Sequence, residues 1–271
     1  MIPNREAPPL PDNGQQNPLI TSRRNPLVKQ LRQLHTARGR REAGTMLLEG
    51  AHMVEEALRH GLALQRLVFT QGWGENHAAL LAQVPPRLQH PVSEGVLAAV
   101  ATTVHPDGVV ATALLPRTPW PRMPRFLLAL DRIQDPGNLG ALLRTALAAE
   151  ADGVVLAQCA DPWQPKVLRA AAGASFALPI RQCPDGEIML EEARGWGLRT
   201  MATCVAGGLP YTRLDWSLPS LLILGNEGSG LSAEMVSRCQ VAVSIPHSDA
   251  VDSLNVAVAG ALLLFERLRP A

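Results

Sequence analysis

Three loops in the second half of the chain each follow an apolar run and each carry residues able to do chemistry. Asn138 and Arg144 come after "FLLAL", in "DRIQDPGNLGALLRTALAAEA"; Glu227 comes after "SLLILG", in "NEGSGLS"; Ser253 and Asn255 come after "VAVSI", in "PHSDAVDSLN". A helix starting beyond a buried strand presents unpaired N–H groups, and an arginine within two turns adds a fixed positive charge beside them. Gly225, Gly228 and Gly230 permit a tight loop whose backbone approaches a ligand closely, around the carboxylate of Glu227. No Gly-Lys-Ser/Thr follows these glycines, and their G-x-x-G-x-G order is not the dinucleotide fingerprint, so neither phosphate-binding loop is indicated. The seven histidines (His35, His52, His60, His77, His90, His105 and His247) are scattered, which predicts no metal centre and no hydrolase triad. The set suits binding and orienting a neutral or cationic cofactor beside a weak oxygen nucleophile. Each residue also has a local reading: Asn138 as the cap of its own helix, and Asp252 or Ser253 as the cap of the last one.

The elements that must position these residues are legible as patterns. The runs "FLLAL", "GVVLA", "LRTMATCV", "SLLILG" and "VAVSI" lack polar alternation, as expected of strands buried on both faces of a parallel sheet. Ligands of such sheets lie beyond the carboxyl ends of the strands, where the polar loops begin. After the last loop, Leu254, Ala257, Val258, Ala261, Leu262 and Phe265 form the i, i+3, i+4, i+7 stripe of a helix packed on the core. Upstream, a basic helix near 25–38, "TMLLEG", "AHMVEEALRHG", "LQRLVFT", a helix near 75–83, "LQHPV", "SEGVLAAVA" and "GVVATALL" alternate strand with helix. The predicted organisation is a disordered, Pro-rich tail over 1–20, a small α/β domain over 21–115, a stiff Pro-rich linker over 116–125 and an α/β domain over 126–271.

Composition narrows the function. At 271 residues and 46% hydrophobic content the chain can bury sizeable cores. It offers no uncharged apolar run near the roughly 20 residues of a membrane span, and its opening residues do not read as a secretory signal, so a cytoplasmic location without membrane association is expected. Cys159, Cys183, Cys204 and Cys239 form no C-x-x-C pair and read as small core residues or incidental thiols. The net charge of +1 conceals a cationic segment, Arg23, Arg24, Lys29, Arg32, Arg38, Arg40 and Arg41, with no acid among them, which points to phosphate contact with a nucleic acid. Five Trp, four Phe and one Tyr make extensive base stacking a secondary mode.

Taken together, "DPGNLGALLRTA" (135–146), "LILGNEGSGLS" (222–232) and "SIPHSDAVDSLNVAVAGALLLFE" (244–266) resemble the SpoU, or TrmH-like, RNA ribose 2′-O-methyltransferases of the SPOUT superfamily. The resemblance implies a C-terminal parallel-sheet SPOUT domain with a deep trefoil knot, preceded by an L30e-like RNA-binding domain, and a homodimer. Pattern reading alone excludes such a knot, because knots are rare among folds. The cofactor implied is S-adenosyl-L-methionine, against Gly225, Ile245 and Leu254 with Thr203 nearby, and the catalytic positions carried over are Asn138, Arg144, Glu227, Ser253 and Asn255. Ribosomal RNA is implied ahead of transfer RNA, with a non-catalytic RNA-binding or ribosome-assembly protein as the alternative. The chain departs from the family at His247, where an apolar residue is usual, and a histidine there can alter the pocket wall.

Overall fold

The computed structural model describes residues 17–269; the tail expected over 1–20 lies mostly outside them. The first domain opens on α1 (Pro26–Gln33), where Asn25 Oδ1 accepts from the Leu27 N–H at 2.8 Å and Pro26 takes a position that needs no donor. The chain restarts at α2 (Ala37–Ala43), capped by Thr36 Oγ1 and stopped by Gly44 in the left-handed region. The single basic helix expected over 25–38 is therefore two, because Thr36 competes for the backbone. There follow β1 (Thr45–Glu49), α3 (Ala51–Arg59), β2 (Leu64–Thr70), α4 (Gln71–Asn76), α5 (Ala78–Leu81), β3 (Gln89–Val92), α6 (Glu94–Val100) and β4 (Val109–Leu114). Their sheet runs β1-β4-β2-β3, with β4 antiparallel to both neighbours and β2 parallel to β3.

The second domain comprises β5 (Phe126–Asp131), α7 (Pro136–Ala148), β6 (Gly153–Ala157), α8 (Pro165–Ala171), α9 (Ala174–Ala177), β7 (Ile180–Cys183), α10 (Gly186–Gly195), β8 (Arg199–Thr203), β9 (Leu209–Pro210), β10 (Ser220–Leu224), α11 (Ala233–Arg238), β11 (Val241–Ser244) and α12 (Val256–Glu266). Its sheet is parallel in every pairing and runs β7-β6-β5-β10-β8-β11-β9. Every residue of β5, β6 and β10 is buried, the outcome that their unbroken apolar runs require. Because β10 lies between β5 and β8, the loops after β5, β8, β10 and β11 leave one edge of the sheet. Among the described residues no helix is long and apolar enough to cross a membrane.

The last helix corrects two expectations. It begins at Val256, and its core side is Val256, Gly260, Leu263 and Leu264. From the expected stripe, Val258, Leu262 and Phe265 are 51%, 40% and 49% exposed. This helix is apolar on all sides, so periodicity could not choose its face. The choice is made at Gly260, which comes so close to Leu142 of α7 that a Cβ there would collide with Leu142 Cδ2.

Candidate functional site

The loops after β5, β10 and β11 are tied together by hydrogen bonds between side chains. Asn255 Oδ1 caps α12, accepting from the Ala257 and Val258 N–H groups at 2.9 and 3.3 Å. Its Nδ2 donates to Asn138 Oδ1 at 3.1 Å, and Asn138 Nδ2 donates to Glu227 Oε1 at 3.4 Å. Glu227 also accepts from the Asp135 N–H at 2.9 Å and from the Gln134 N–H at 3.2 Å. Partial burial pushes the Glu227 carboxyl upward, but the N–H groups of Asp135, Glu227 and Gln134 and the Asn138 amide outweigh it and hold the group below the usual glutamate value. An anionic carboxylate therefore stands at the junction of all three loops.

Beside it opens a cavity of about 280 Å³, close to the lower end of the range for small-molecule sites. Thr203, Gly225, Ile245 and Leu254 line it, together with Glu227 and Ser253. Thr203 Oγ1 donates to the Ile223 carbonyl at 3.0 Å, so its hydroxyl is committed to the sheet. The Ile245 carbonyl receives His247 Nδ1 at 2.7 Å, which gives His247, another lining residue, a fixed place in the wall. Gly225 is needed for a close approach: a Cβ there would overlap the Gly230 and Leu231 backbone. Apolar walls from Leu224, Val243, Val256 and Leu263, with one carboxylate, fit an uncharged aromatic or aliphatic body that carries a cation.

A model of the SpoU rRNA Methylase family matches residues 125–265, and one of an MRM3-like substrate binding domain matches residues 25–111. The chain belongs to the SpoU rRNA methylase family. Among its relatives, an uncharacterised tRNA/rRNA methyltransferase of Synechocystis is 44% identical, covering 92% of this chain and 93% of the relative. The 23S rRNA (guanosine(2553)-2′-O)-methyltransferase RlmP of Bacillus subtilis is 34% identical over 91% of this chain and 97% of its own. The crystal structure of an AdoMet-bound rRNA methyltransferase from Sinorhizobium meliloti superposes with a TM-score of 0.80, at 34% identity, over 93% and 98% of the two chains.

Within this SpoU chain, two expected site residues lie outside the Asn255, Asn138 and Glu227 hydrogen-bond chain. Arg144 is exposed on α7, and six residues of helix separate it from Asn138 by about 9 Å along the axis and most of the way to the opposite face. It does not join the Asn255, Asn138 and Glu227 chain. Ser253 is exposed at the cavity mouth, and the cap it was expected to supply is Asn255. Likewise Asp135 caps α7, accepting from the Asn138 N–H at 2.8 Å, which frees the Asn138 amide for its neighbours.

The cationic segment needs one correction. Arg23, Arg24, Lys29, Arg32, Arg38 and Arg41 are exposed, but Arg40 is 3% exposed and donates to Asp161 of the second domain. It is a buried interface residue, and the expectation that it touches RNA is withdrawn. Sequence reading also missed Asn226. Its Oδ1 accepts from the Gly228 and Ser229 N–H groups at 3.0 and 3.1 Å, and its Nδ2 donates to the Arg132 carbonyl at 2.8 Å. That bond supports Arg132, a non-glycine residue in the left-handed region at φ 57°. An asparagine two residues before a glycine was the available signal, since such side chains close turns on their own backbone.

Proposed function

We propose that this chain transfers a methyl group from S-adenosyl-L-methionine to a ribose 2′-hydroxyl of RNA, ribosomal RNA in preference to transfer RNA. The observation that carries the reading is the Asn255, Asn138 and Glu227 hydrogen-bond chain, which joins three loops beside one cavity. The names of relatives that methylate 23S rRNA support the choice of RNA.

The cavity residues fit S-adenosyl-L-methionine by chemistry: apolar walls suit its adenosyl body, and Glu227 suits its cationic end. When bound, the cofactor supplies an already activated methyl group, so orientation is the chain's main task. Glu227 holds Asn138 in one rotamer, and Asn138 with Asn255 fixes the loops that face the acceptor. Ser253 stands at the mouth, where its hydroxyl can bond the ribose. In this reading Arg144, exposed on α7 and outside the hydrogen-bond chain, serves as a clamp on an RNA phosphate beside the acceptor ribose rather than as a base. Arg23, Arg24, Lys29, Arg32, Arg38 and Arg41 add phosphate affinity that does not depend on sequence.

The active form in this reading is a homodimer. Exposed Val258, Leu262 and Phe265 of α12 form an apolar face of the kind a second copy covers. The reading also includes a deep trefoil knot in the second domain and a cytoplasmic location, where RNA is at hand. The decisive experiment incubates the purified protein with labelled S-adenosyl-L-methionine and either ribosomal or transfer RNA. Label should enter ribosomal RNA at a 2′-O-methyl position, and calorimetry should detect cofactor binding. Label in neither pool would overturn the assignment, and label in transfer RNA alone would overturn the substrate preference.

A further inference from the structure

We infer that the two domains form one rigid body, locked by two ion pairs across their interface, and that this lock sets the distance between RNA held by the first domain and the methyl-transfer site. The RNA part of the inference rests on the proposed function; the structural part does not.

The first pair joins α2 to the loop after β6. Arg40 donates through Nε and Nη2 to Asp161 Oδ2 at 2.9 and 2.5 Å, and through Nη1 to the Leu34 carbonyl at 2.6 Å. Asp161 Oδ1 accepts in turn from the Trp163 N–H at 3.0 Å. The second pair joins α8 to β1: Arg169 Nη1 donates to Glu49 Oε2 at 2.9 Å, while Glu49 Oε1 accepts from the Thr102 N–H at 2.8 Å. The Arg40 and Glu49 side chains are each 3% exposed. Both pairs are thus completed by backbone groups, and a fork of donors that meets one carboxylate oxygen and one carbonyl accepts a single orientation.

Apolar contact across the interface adds to the two pairs. Leu168 of α8 and Phe176 of α9 belong to the same buried cluster as Met53, Val54 and Trp73 of the first domain. Gly173, at φ 86°, lies against Glu56 of α3 so closely that a Cβ would come within 2.6 Å of the carboxylate. The linker is no free tether either. Trp120 packs on Trp196 with ring centroids 5.5 Å apart and on the backbone at Gly153, with the Arg181 guanidinium 5.9 and 5.6 Å from the two rings. The cationic surface of α1 and α2 therefore has a fixed position relative to the cavity beyond β10. A target nucleotide would be selected by its span from the RNA segment bound there, and Arg40, Asp161, Glu49 and Arg169 are positioning residues for the reaction.

Removing one partner leaves the other charge buried when the domains dock, which favours undocking. The test uses full-length Asp161→Asn and Arg169→Met proteins. Both should retain cofactor affinity within about twofold by calorimetry, which reports an intact second domain. Both should show a larger radius of gyration by small-angle scattering, and trypsin should cut the linker at Arg117, Arg122 or Arg125 at least tenfold faster. KM for RNA should rise at least fivefold, by more than kcat falls. An Arg40→Met/Asp161→Leu double variant, which replaces the pair by apolar contact, should return all readouts toward those of the unaltered protein. Unchanged scattering and unchanged cleavage in both single variants would overturn the lock. An opened interface with unchanged KM would overturn its role in placing RNA. If the unaltered protein methylates no RNA, the proposed function fails while scattering and proteolysis still decide the lock.

Discussion

At the scale of single residues, Asn255 has two separable duties. Its Oδ1 caps α12 and its Nδ2 holds Asn138. Asn255→Asp keeps the capping oxygen and loses the donor, so stability should change by less than about 0.5 kcal/mol, since Asn and Asp cap equally well. Methylation should nevertheless fall at least tenfold. Asn255→Ala loses both duties and should also cost about 1 kcal/mol in thermal or urea unfolding. Equal activity of the two variants with unaltered protein would mean that the hydrogen-bond chain has no catalytic consequence. Glu227 gives a pH signature. A carboxylate whose folded pKa is depressed contributes stability above its unfolded pKa of about 4.3 and loses it as pH falls through the lower folded value. Glu227→Gln keeps one oxygen for the Asp135 N–H but replaces Oε2 by an amide donor that faces the Gln134 N–H and Asn226 Nδ2. It should destabilise by up to about 1 kcal/mol near neutrality, a figure reduced for partial exposure, with the two melting curves converging in acid. A constant gap from pH 7 to pH 3 would remove the charge from the explanation. Asn138, Glu227 and Asn255 were legible because their types and strand-end positions are unusual together. Asn226 offered only its spacing to Gly228, and Gln134 and Asp135 offered nothing, because they work through backbone contacts that no spacing displays.

At the scale of elements, the strands were readable because burial on both faces leaves an unbroken apolar run. The short edge strands β7 and β9 were not, since exposed Arg181 and Gln182 and the two-residue Leu209–Pro210 carry no such run. The final helix shows why periodicity fails where every face is apolar. Its stripe through Leu262 and Phe265 is as regular as any core face, yet Gly260 turns the neighbouring side onto α7. This reverses a mutational expectation. Leu263, fully buried, should cost about 2–5 kcal/mol on replacement by Ala. Leu262→Asp, which the stripe alone would mark as unfolding the domain, should instead leave the melting temperature of a monomer nearly unchanged and shift the protein from dimer to monomer in sedimentation. If Leu262→Asp unfolds the chain while Leu263→Ala is tolerated, the assignment of faces is wrong.

At the scale of the whole molecule, the proline-rich stretch over 116–125 lies between the strands of the four-stranded sheet and those of the seven-stranded sheet, and the basic segment over 23–41 comes before it. What composition could not show is that one of those arginines is spent on the partner domain. Arg40 looks like its neighbours in sequence and differs only by facing Asp161, 121 residues away. The remaining cations are exposed on the first domain, while the cavity belongs to the second, so RNA affinity and cofactor affinity should respond to different changes. Each phosphate contact contributes about 0.7–0.9 to the slope of log K against log salt, depending on whether the RNA is single- or double-stranded. Replacing Arg24, Lys29 and Arg32 together by glutamine should therefore reduce that slope by about 2–3 in filter binding if all three reach phosphate. The loss should be similar for unrelated RNA sequences, because phosphate contacts carry no sequence information. Cofactor affinity by calorimetry should stay within twofold. A triple variant that keeps the original salt slope would show that RNA lies elsewhere on the first domain, and one that also weakens cofactor binding would show that the two surfaces are not separate.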